Sequence, residues 1–548
     1  MRRPAARVKP RLAKLQSFPA PIGGWIKNIN LATPDARMPN GQRVNGAAVL
    51  ENWFPTATGC KMRGGTQLHT VTNGSEDITA MFTYADGNNR SLFAATATAI
   101  FNVTAATEFG YLVDESGNQL VDDLGNALVT GTTLSTVGSL NGGEWSVVQF
   151  STSGGAFLRA VNGVNTPLVY DGATWGTSPA ITGATPETLS FVWSHKNRLM
   201  FVEKDTQNMW YLPVDSIGGV AAKFPLGGVF TRGGALLFGA SWSLDANGLT
   251  EQCVFFSTEG EVAVYQGTNP GDAAAWSKVG VYRIGKPRGP KAFIRAGGDL
   301  VIATDIGFIP LSVAVQRDIA ALSPSAISYP IEEAWNEAVR DRSGNWHCEV
   351  WPTKQMVVVA PPTPSSTPSL MLVANARTGA WAPYTGWQAT CMALFGDRFF
   401  FGSTGGKIVE AEVTGADQGA PYTATMVPLF DPLKSPASLK NGLQARSTIR
   451  APAEVTVRLS LQKDFAVSLP ASPDDSSTPS GSVWGTGIWG TSVWGSTAEK
   501  QTFRRWQSVP GSGYALSVAA QITSGNTVPP DIEYVQTELS YDMGDIGS

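Results

Sequence analysis

Alternating apolar and polar positions predict β-hairpins along most of this chain. The clearest is residues 396–413, where an aromatic run leads through a Gly-rich turn into a stretch that alternates with period two. Glycine supplies the positive φ angles that a tight hairpin turn requires. The alternation predicts one buried and one solvent-facing side for the hairpin, with Phe399, Phe400, Phe401 and Ile408 packed between sheets.

Six further segments repeat the order of strand, polar turn and strand. They begin at residues 90, 156, 198, 252, 299 and 355, and the hairpin that begins at residue 398 ends the series. This spacing is close to the ~40 to 50 residues of a four-stranded propeller blade. The sequence therefore predicts a mainly β fold with a propeller of about seven blades, and six to eight blades fit the same spacing. The last hairpin is expected near the closure of the ring.

Several of these hairpins are followed by glycine and then tryptophan. Gly172 precedes Trp175, Gly267 leads to Trp276, and Gly379 precedes Trp381. Glycine lets the chain turn out of one blade, and a buried indole fills the space against the neighbouring sheet. We predict that these tryptophans pack between blades.

Two segments interrupt the repeat. The sequence of residues 117–121 recurs in similar form at residues 125–129, so an exposed loop or small hairpin is expected near 111–131. Residues 331–340 are predicted to form a helix, because Pro330 precedes them and Glu332 and Glu333 occupy the first turn. Its apolar stripe of Ile331, Trp335 and Val339 favours core packing over a partner groove.

Changes in composition and in strand pattern along the chain divide it into three predicted regions. Residues 1–70 are predicted to be an extended N-terminal arm that wraps the fold, since Pro, Gly and Asn are too dense for a helix. Residues 71–424 contain the propeller. Residues 425–548 are predicted to form a β-sandwich-like platform domain with a Trp-Gly loop at 480–497.

Two groups of side chains are candidates for contact with a partner. A tip that adheres to another surface, or a subunit contact, is one interpretation of Trp484, Trp489 and Trp494, and a loop folded back on its own domain is the other. The basic start of the chain is either a solvated terminus or a contact with DNA or another acidic partner. Its candidate residues are Arg2, Arg3 and Arg7.

Composition limits the choice of partners. The net charge of −4 gives no overall field for holding nucleic acid, but suits a surface past which DNA slides. The basic start lacks the apolar core of a signal peptide, and no stretch has the ~20 apolar residues of a membrane span. Cys60, Cys253, Cys348 and Cys391 are far apart in apolar surroundings, so we expect buried, reduced thiols of a protein made in the cytosol.

The sequence contains no convincing catalytic motif. His69, His195 and His347 are scattered, so we expect no metal and no cofactor. Residues 239–243 lack the second glycine of a serine-nucleophile elbow, and the turn at 402–408 is one residue short of a phosphate loop. A pair of carboxylates for polysaccharide cleavage leaves no sequence signature, so an enzymatic propeller stays open as an alternative.

Five short stretches resemble a known family. They are Pro-Ile-Gly-Gly-Trp at 21–25, Leu-Glu-Asn-Trp-Phe-Pro at 50–55, Arg-Gly-Gly at 63–65, Ser-Pro-Ala-Ser-Leu-Lys at 435–440 and Tyr-Asp-Met-Gly-Asp-Ile at 541–546. In this order they resemble the tail nozzle proteins of short-tailed bacteriophages, the tail tubular B-like proteins that stabilise packaged DNA. The Trp-Gly repeat and the duplicated insertion are not part of the resemblance.

The resemblance implies a structural virion protein of the viral tail and no enzymatic activity. It implies a hexameric ring below the portal and adaptor, assembled in the host cytoplasm, which retains the packaged genome and guides its ejection. The expected partners are further copies of the chain, the head-to-tail adaptor and portal, tail fibres or spikes, and passing double-stranded DNA. A tail-associated propeller that binds glycans as an adhesin or degrades polysaccharide is the alternative.

Overall fold

The chain folds into two compact units. The computed structural model describes residues 13–28, 30–33, 36, 44–72, 76–87, 89–106, 110–111, 129–130, 135–243, 251–364, 367–474 and 499–546. The sandwich unit comprises Met1–Gly65, Val373–Thr385 and Glu412–Ser548, and the propeller unit comprises Thr66–Leu372 and Gly386–Ala411. No helix in these described ranges is long and apolar enough to cross a membrane.

Strands dominate both units. In chain order the strands are β1 Lys14–Pro19, β2 Ala47–Glu51, β3 Trp53–Pro55, β4 Cys60–Met62, β5 Gly65–Val71, β6 Ala80–Asp86, β7 Asn89–Ala95, β8 Ile100–Asn102, β9 Gly110–Tyr111, β10 Val129–Thr130, β11 Ser135–Val137, β12 Ser146–Thr152, β13 Gly155–Val161, β14 Leu168–Tyr170, β15 Trp175–Gly176, β16 Ile181–Thr182, β17 Leu189–His195, β18 Arg198–Glu203, β19 Asn208–Tyr211, β20 Gly219–Val220, β21 Ala222–Pro225, β22 Leu236–Trp242, β23 Gln252–Ser257, β24 Glu261–Gly267, β25 Trp276–Arg283, β26 Phe293–Ala296, β27 Asp299–Thr304, β28 Gly307–Pro310, β29 His347–Trp351, β30 Met356–Ala360, β31 Met371–Asn375, β32 Trp381–Tyr384, β33 Cys391–Phe395, β34 Arg398–Gly402, β35 Lys407–Thr414, β36 Tyr422–Pro428, β37 Ser438–Ala451, β38 Arg458–Lys463, β39 Gln501–Gly513, β40 Leu516–Ser524 and β41 Glu533–Ile546.

Helices are few and short. The α-helices are α1 Leu311–Ala314 and α2 Glu332–Asp341, and 3-10 turns lie at Pro186–Thr188, Ile319–Ala321, Ser323–Ser325, Tyr329–Ile331 and Thr404–Gly406.

Seven sheets of three or four strands make up the propeller fold. Their strand orders are β6-β7-β8-β11, β12-β13-β14-β15, β17-β18-β19-β21, β22-β23-β24-β25, β26-β27-β28, β29-β30-β31-β32 and β33-β34-β35-β5. Each of the seven hairpins predicted from sequence supplies the second and third strands of one sheet. The fold class and the number of about seven blades are therefore confirmed.

The last sheet closes the ring. Strand β5 precedes the first sheet in the sequence, yet it is the fourth strand of the sheet formed by β33, β34 and β35. Just beyond β5, the Thr72 N–H donates to the carbonyl of Gly406 at 2.9 Å. This arrangement confirms that the hairpin beginning at residue 398 lies at the closure, and it leaves no open edge between the last sheet and the start of the propeller.

Both faces of this closing sheet are buried. Phe399 stacks on Trp351 of the neighbouring sheet with ring centroids 5.4 Å apart, while Phe400 packs with Met81 and Leu92 of the first sheet. Period-two alternation sends consecutive side chains to opposite faces, so a sheet between two others buries both. The expected solvent-facing side is therefore wrong, and Glu410 is buried because it forms an ion pair with Arg398.

Two of the three predicted tryptophan corners join neighbouring blades. Trp175 in β15 lies 5.2 Å from Phe93 and 5.8 Å from Phe82, both in the preceding sheet. Trp276 in β25 packs against Phe224 of the preceding sheet at 6.2 Å. These indoles stabilise the contacts between their blades, and the corresponding role of Trp381 stays a prediction.

Helix α2 is a core element, as its apolar stripe indicates. Trp335 is buried, packs on Trp346 at 5.1 Å and donates its indole N–H to the carbonyl of Thr304 at 2.9 Å. The helix begins one residue later than predicted, because Ile331 belongs to a preceding 3-10 turn. It follows the sheet that has three strands.

Two sheets form the sandwich unit. The larger has the order β3-β4-β41-β37-β39, with β1 also paired to β41, and the smaller has the order β2-β36-β40-β38. They meet closely where Leu461 of β38 lies over Gly442 of β37 and Gly511 of β39. A Cβ atom added at either glycine would lie 3.0 Å or less from the Leu461 side chain. Strands from before residue 65 and after residue 412 therefore share the same sheets.

The duplicated segment lies almost wholly outside the described residues. At its base, Gly110 and Tyr111 pair with Thr130 and Val129 in an antiparallel arrangement. That pairing fits the base of a small hairpin.

Candidate functional site

The six contact residues proposed from sequence lie outside the residues that the structure describes. They are Trp484, Trp489, Trp494, Arg2, Arg3 and Arg7. Their roles stay predictions. The described residues offer three other groups of side chains: an axial cavity in the propeller unit, a buried arginine in the sandwich unit, and a groove along strand β39.

The axial cavity is lined by the first strand of every propeller sheet. Its volume is about 530 Å³, and its wall includes residues of β6, β12, β17, β22, β26, β29 and β33. A second cavity of about 390 Å³ shares Lys291 and His347 with the first. The inner strands of a propeller surround its axis, so these cavities are the central channel of the ring.

Three titratable side chains converge on one wall of this channel. Lys291 and His347 are partners in an isolated parallel β-bridge, and the Cys348 N–H donates to the carbonyl of Lys291 at 3.0 Å. Bridge partners point to the same face of a sheet, and so do residues two apart on one strand. Lys291, His347 and Glu349 therefore face the cavity together, as its lining confirms.

Hydrogen bonding fixes the tautomer of His347. Its Nδ1 accepts the backbone N–H of Met392 at 3.0 Å, so the proton of the neutral ring is on Nε2. Burial, together with nearby Lys291, lowers the pKa of His347 to about 3. The imidazole is therefore neutral near pH 7 and has an N–H donor on Nε2.

The pKa values of Lys291 and Glu349 are shifted in directions that reduce the charge in the cavity. Burial lowers the pKa of Lys291, and the nearby Glu144 and Glu349 oppose that change. Burial raises the pKa of Glu349 to about 7, against the opposing effects of the Val350 N–H and Lys291. Both shifts follow from the cost of placing a charged group away from bulk water.

Arg63 is the centre of a buried network in the sandwich unit. Its Nη1 and Nη2 donate to the two carboxylate oxygens of Asp417 at 2.9 and 2.6 Å, and its Nε donates to Oδ1 of Asn52 at 2.8 Å. The remaining two donors reach the carbonyls of Gly64 and Thr385 at 2.9 and 2.8 Å. All five guanidinium N–H groups are used.

The arginine stays charged in this setting. Burial alone would lower the pKa of Arg63, but the hydrogen bonds and charge of Asp417 leave that pKa raised. The aromatic ring of Tyr422 lies 3.8 Å from the guanidinium carbon, and its hydroxyl donates to the Arg63 carbonyl. The network joins residues that are more than 300 positions apart in the chain, so it fixes the sandwich unit.

A groove of about 960 Å³ follows the edge strand β39. β39 pairs with β37 and is the last strand in its sheet. Arg504 and Arg505 are exposed, and Trp506 is 40% exposed with the guanidinium of Arg446 4.7 Å from its ring centroid. An edge strand with an exposed aromatic and cations is a surface that suits another protein chain.

One serine–histidine pair was missed by sequence reasoning. Ser241 Oγ lies 2.9 Å from Nδ1 of His195, within the segment that lacks a nucleophile elbow. Nε2 of His195 faces the carbonyl of Gly267 at 3.3 Å, so among the described residues this ring is oriented by a backbone carbonyl and not by a carboxylate, although the nearby charge of Glu251 opposes the lowering of the His195 pKa by burial. Both side chains are buried, and burial lowers the pKa of His195. The pair joins two blades.

Metal and thiol chemistry have no site in the part of the chain that the structure describes. No group of three or more His, Cys, Asp or Glu side chains there is arranged to hold a metal ion. The four cysteines are buried and free, as expected. Burial raises the pKa of all four thiols, that of Cys391 to about 11, which makes them unreactive near neutral pH.

Comparison with known proteins bears on the fold. The chain matches no known family model and no curated protein sequence. Among solved structures, Sqt1 of Saccharomyces cerevisiae is 9% identical with a TM-score of 0.37, covering 64% of this chain and 99% of that one. The propeller domain of Cps50 (Swd1) from Myceliophteria thermophila is 11% identical with a TM-score of 0.34, covering 63% and 99%. Similarity at this level carries no functional argument.

Proposed function

We propose that this chain is a structural subunit of the tail nozzle of a short-tailed bacteriophage. Six copies would form a ring that extends the DNA channel below the portal and adaptor, retains the packaged genome and guides its ejection. The outer surface of the ring would provide attachment sites for fibres or spikes.

One observation carries this proposal. All five stretches that carry the sequence resemblance belong to the sandwich unit, although they span the chain from residue 21 to residue 546. Two of them meet directly, because Asn52 and Arg63 share a hydrogen bond in the buried network. A third begins at Ser435, whose carbonyl accepts a hydrogen bond from Lys440 in the same stretch. The resemblance also takes in the propeller, but the grouping of its five short stretches in one folded unit supports a common architecture for that unit.

Strand β39 supports a specific subunit contact within the ring. It has 13 residues, and one of its edges pairs with no strand in the described part of the chain, so this edge is a template for another chain unless a neighbour covers it. Trp506 and the adjacent arginines are exposed along it. We assign this edge to the neighbouring subunit, because exposed tryptophan and arginine are the side chains most enriched at the centre of interfaces.

Electron microscopy of purified phage particles with an antibody to this chain tests the location. Gold label is expected at the tail, between the head and its distal tip. Label on the capsid or on no part of the particle would contradict the proposal. Purified protein that binds a glycan array or cleaves polysaccharide, without forming rings, would instead support the adhesin or enzyme.

The subunit contact has its own test. Trp506→Ala should reduce the fraction of purified protein that sediments as rings, because it removes the largest exposed apolar side chain of β39. Tyr514→Ala is the matched control, since Tyr514 is 46% exposed but lies beyond the end of β39. Equal ring fractions for the two variants would contradict the assigned edge while leaving the tail location unaffected.

A further inference from the structure

The axial cavity of the propeller contains a lysine, Lys291, near Glu144 and Glu349 but without a direct contact to a carboxylate in the described part of the chain. The side chain of Lys291 has no hydrogen bond or ion pair among the residues that the structure describes, and it is half-buried in the channel. Removing an ammonium group from bulk water is unfavourable unless an opposite charge or hydrogen-bond acceptor replaces the lost water. Its position therefore calls for an anionic partner.

A second donor lies beside it. Nε2 of His347 carries the ring proton, because Nδ1 is occupied by the Met392 N–H. The β-bridge between residues 291 and 347 places the two side chains next to each other on one wall. Two adjacent donors, one of them cationic, match two oxygen atoms of a carboxylate or a phosphate group.

The rest of the wall fits a compact organic body. Phe191, Trp193 and Phe293 contribute aromatic surface to the same cavity. A volume of about 530 Å³ is within the ~300–1,000 Å³ range of small-molecule pockets. The cavity thus combines aromatic surface with a mixed polar wall that includes the two anion-recognising side chains.

We propose that the axial cavity binds a small molecule that carries a carboxylate or phosphate group, with Lys291 and His347 as the anion-binding residues. This inference stands on the propeller alone and is independent of the proposed role in the tail.

Glu349 makes the affinity dependent on pH. An ionised carboxylate beside the anion repels it, whereas a protonated carboxyl group does not. The protonated fraction of Lys291 also increases as pH falls. Both effects strengthen binding at lower pH. Further titratable or charged groups that face the two cavities are Glu144, Lys204, Asp205, Arg295, His347 and Cys391.

Titration calorimetry of the full chain with sodium benzoate and with inorganic phosphate tests the site. Benzamide has the body of benzoate without its charge and is the ligand control. Lys291→Met should weaken anion binding by about tenfold or more, the scale of one lost charge-assisted hydrogen bond. Lys278→Met is the matched control, because Lys278 is exposed on the outer strand β25.

The two probes separate the possible sources of the anion. Tighter binding of benzoate than of phosphate identifies a carboxylate on an apolar body, and the reverse identifies a phosphate group. Glu349→Gln should tighten binding at pH 8 and reduce the difference between pH 6 and pH 8, whereas Glu333→Gln on the exposed face of α2 should change neither.

Several results would overturn the proposal. They are the absence of saturable binding of either anion, equal affinity for benzoate and benzamide with no binding of phosphate, or equal effects of Lys291→Met and Lys278→Met. If circular dichroism shows that Lys291→Met does not fold, binding by Lys291→Arg and the pH dependence of wild-type binding test the proposal instead. Arginine should retain binding, and an affinity of the wild type for benzoate, which keeps its charge in this range, that does not rise from pH 8 to pH 6 would refute the site.

Discussion

Replacing Arg63 should destabilise the sandwich unit far more than replacing any exposed arginine. Arg63→Met removes five donated hydrogen bonds at once and leaves the Asp417 carboxylate, whose side chain is 13% exposed, without its bidentate partner. The remaining carbonyls and the Asn52 amide lose a donor in a region that excludes water. Most of the loss in the free energy of unfolding therefore comes from the buried polar groups that no longer have a hydrogen-bond partner.

The size of the effect follows from this geometry. Breaking a buried ion pair by removing one member costs about 3–5 kcal/mol, so we expect that loss for Arg63→Met. Arg63→Lys should lose roughly 2 kcal/mol, because an ammonium group keeps the charge but cannot form the planar fork with Asp417. The double variant Arg63→Met with Asp417→Leu should be less destabilised than the sum of the singles, by about 1–3 kcal/mol.

Differential scanning calorimetry measures these changes as shifts in the unfolding transition, and limited proteolysis locates the region that opens. Arg377→Met is the control, because Arg377 is exposed in the same unit and should change stability by less than ~0.5 kcal/mol. A loss below about 1 kcal/mol for Arg63→Met, or additive single and double variants, would refute the view that this network fixes the unit.

Two further predictions concern buried charges in the propeller unit. Arg159 is fully buried, its Nε and Nη2 have no hydrogen-bond partner among the described residues, and burial lowers its pKa to about 10. Arg159→Met should therefore raise the free energy of unfolding by about 1–4 kcal/mol. A decrease measured by calorimetry would contradict this. The pKa of Glu349 is about 7 against a usual value of 4.5, so this group binds more proton in the folded state and its contribution to stability should fall as pH rises between those values, opposite in sign to the contribution of His347, whose pKa burial lowers. The fall should be at most about 3 kcal/mol, and Glu349→Gln should remove it in urea titrations at pH 5 and pH 8; an unchanged pH slope would contradict the assignment.

Local patterns were sufficient for the hairpins and for the class of fold. A hairpin is specified by residues close in sequence, through period-two alternation and turn glycines, so all seven predicted copies supply adjacent strands of their sheets. The tryptophans at 175 and 276 were placed between blades for the same reason, since a glycine and an indole a few residues apart define a corner. The repeated spacing then indicated a propeller of about seven blades.

Tertiary structure decided where these elements close and which polar groups meet. No local pattern shows that β5 completes the sheet of β33 to β35, or that strands before residue 65 share sheets with strands after residue 412. The position of Glu410 could not be predicted from local pattern either. Alternation predicts that its side chain faces solvent, whereas it is buried and forms an ion pair with Arg398.

The candidate sites lay wholly beyond sequence reasoning. Lys291 and His347, 56 positions apart in the sequence, become neighbours through a β-bridge, and Arg63 reaches Asp417, which is 354 positions away. Alternation and turn chemistry act over a few residues, so the sequence by itself determined the strands, the hairpins and the ring of blades. Long-range strand pairing set the network around Arg63 and the cavity around Lys291, because only a closed ring and a completed sheet bring such distant side chains together.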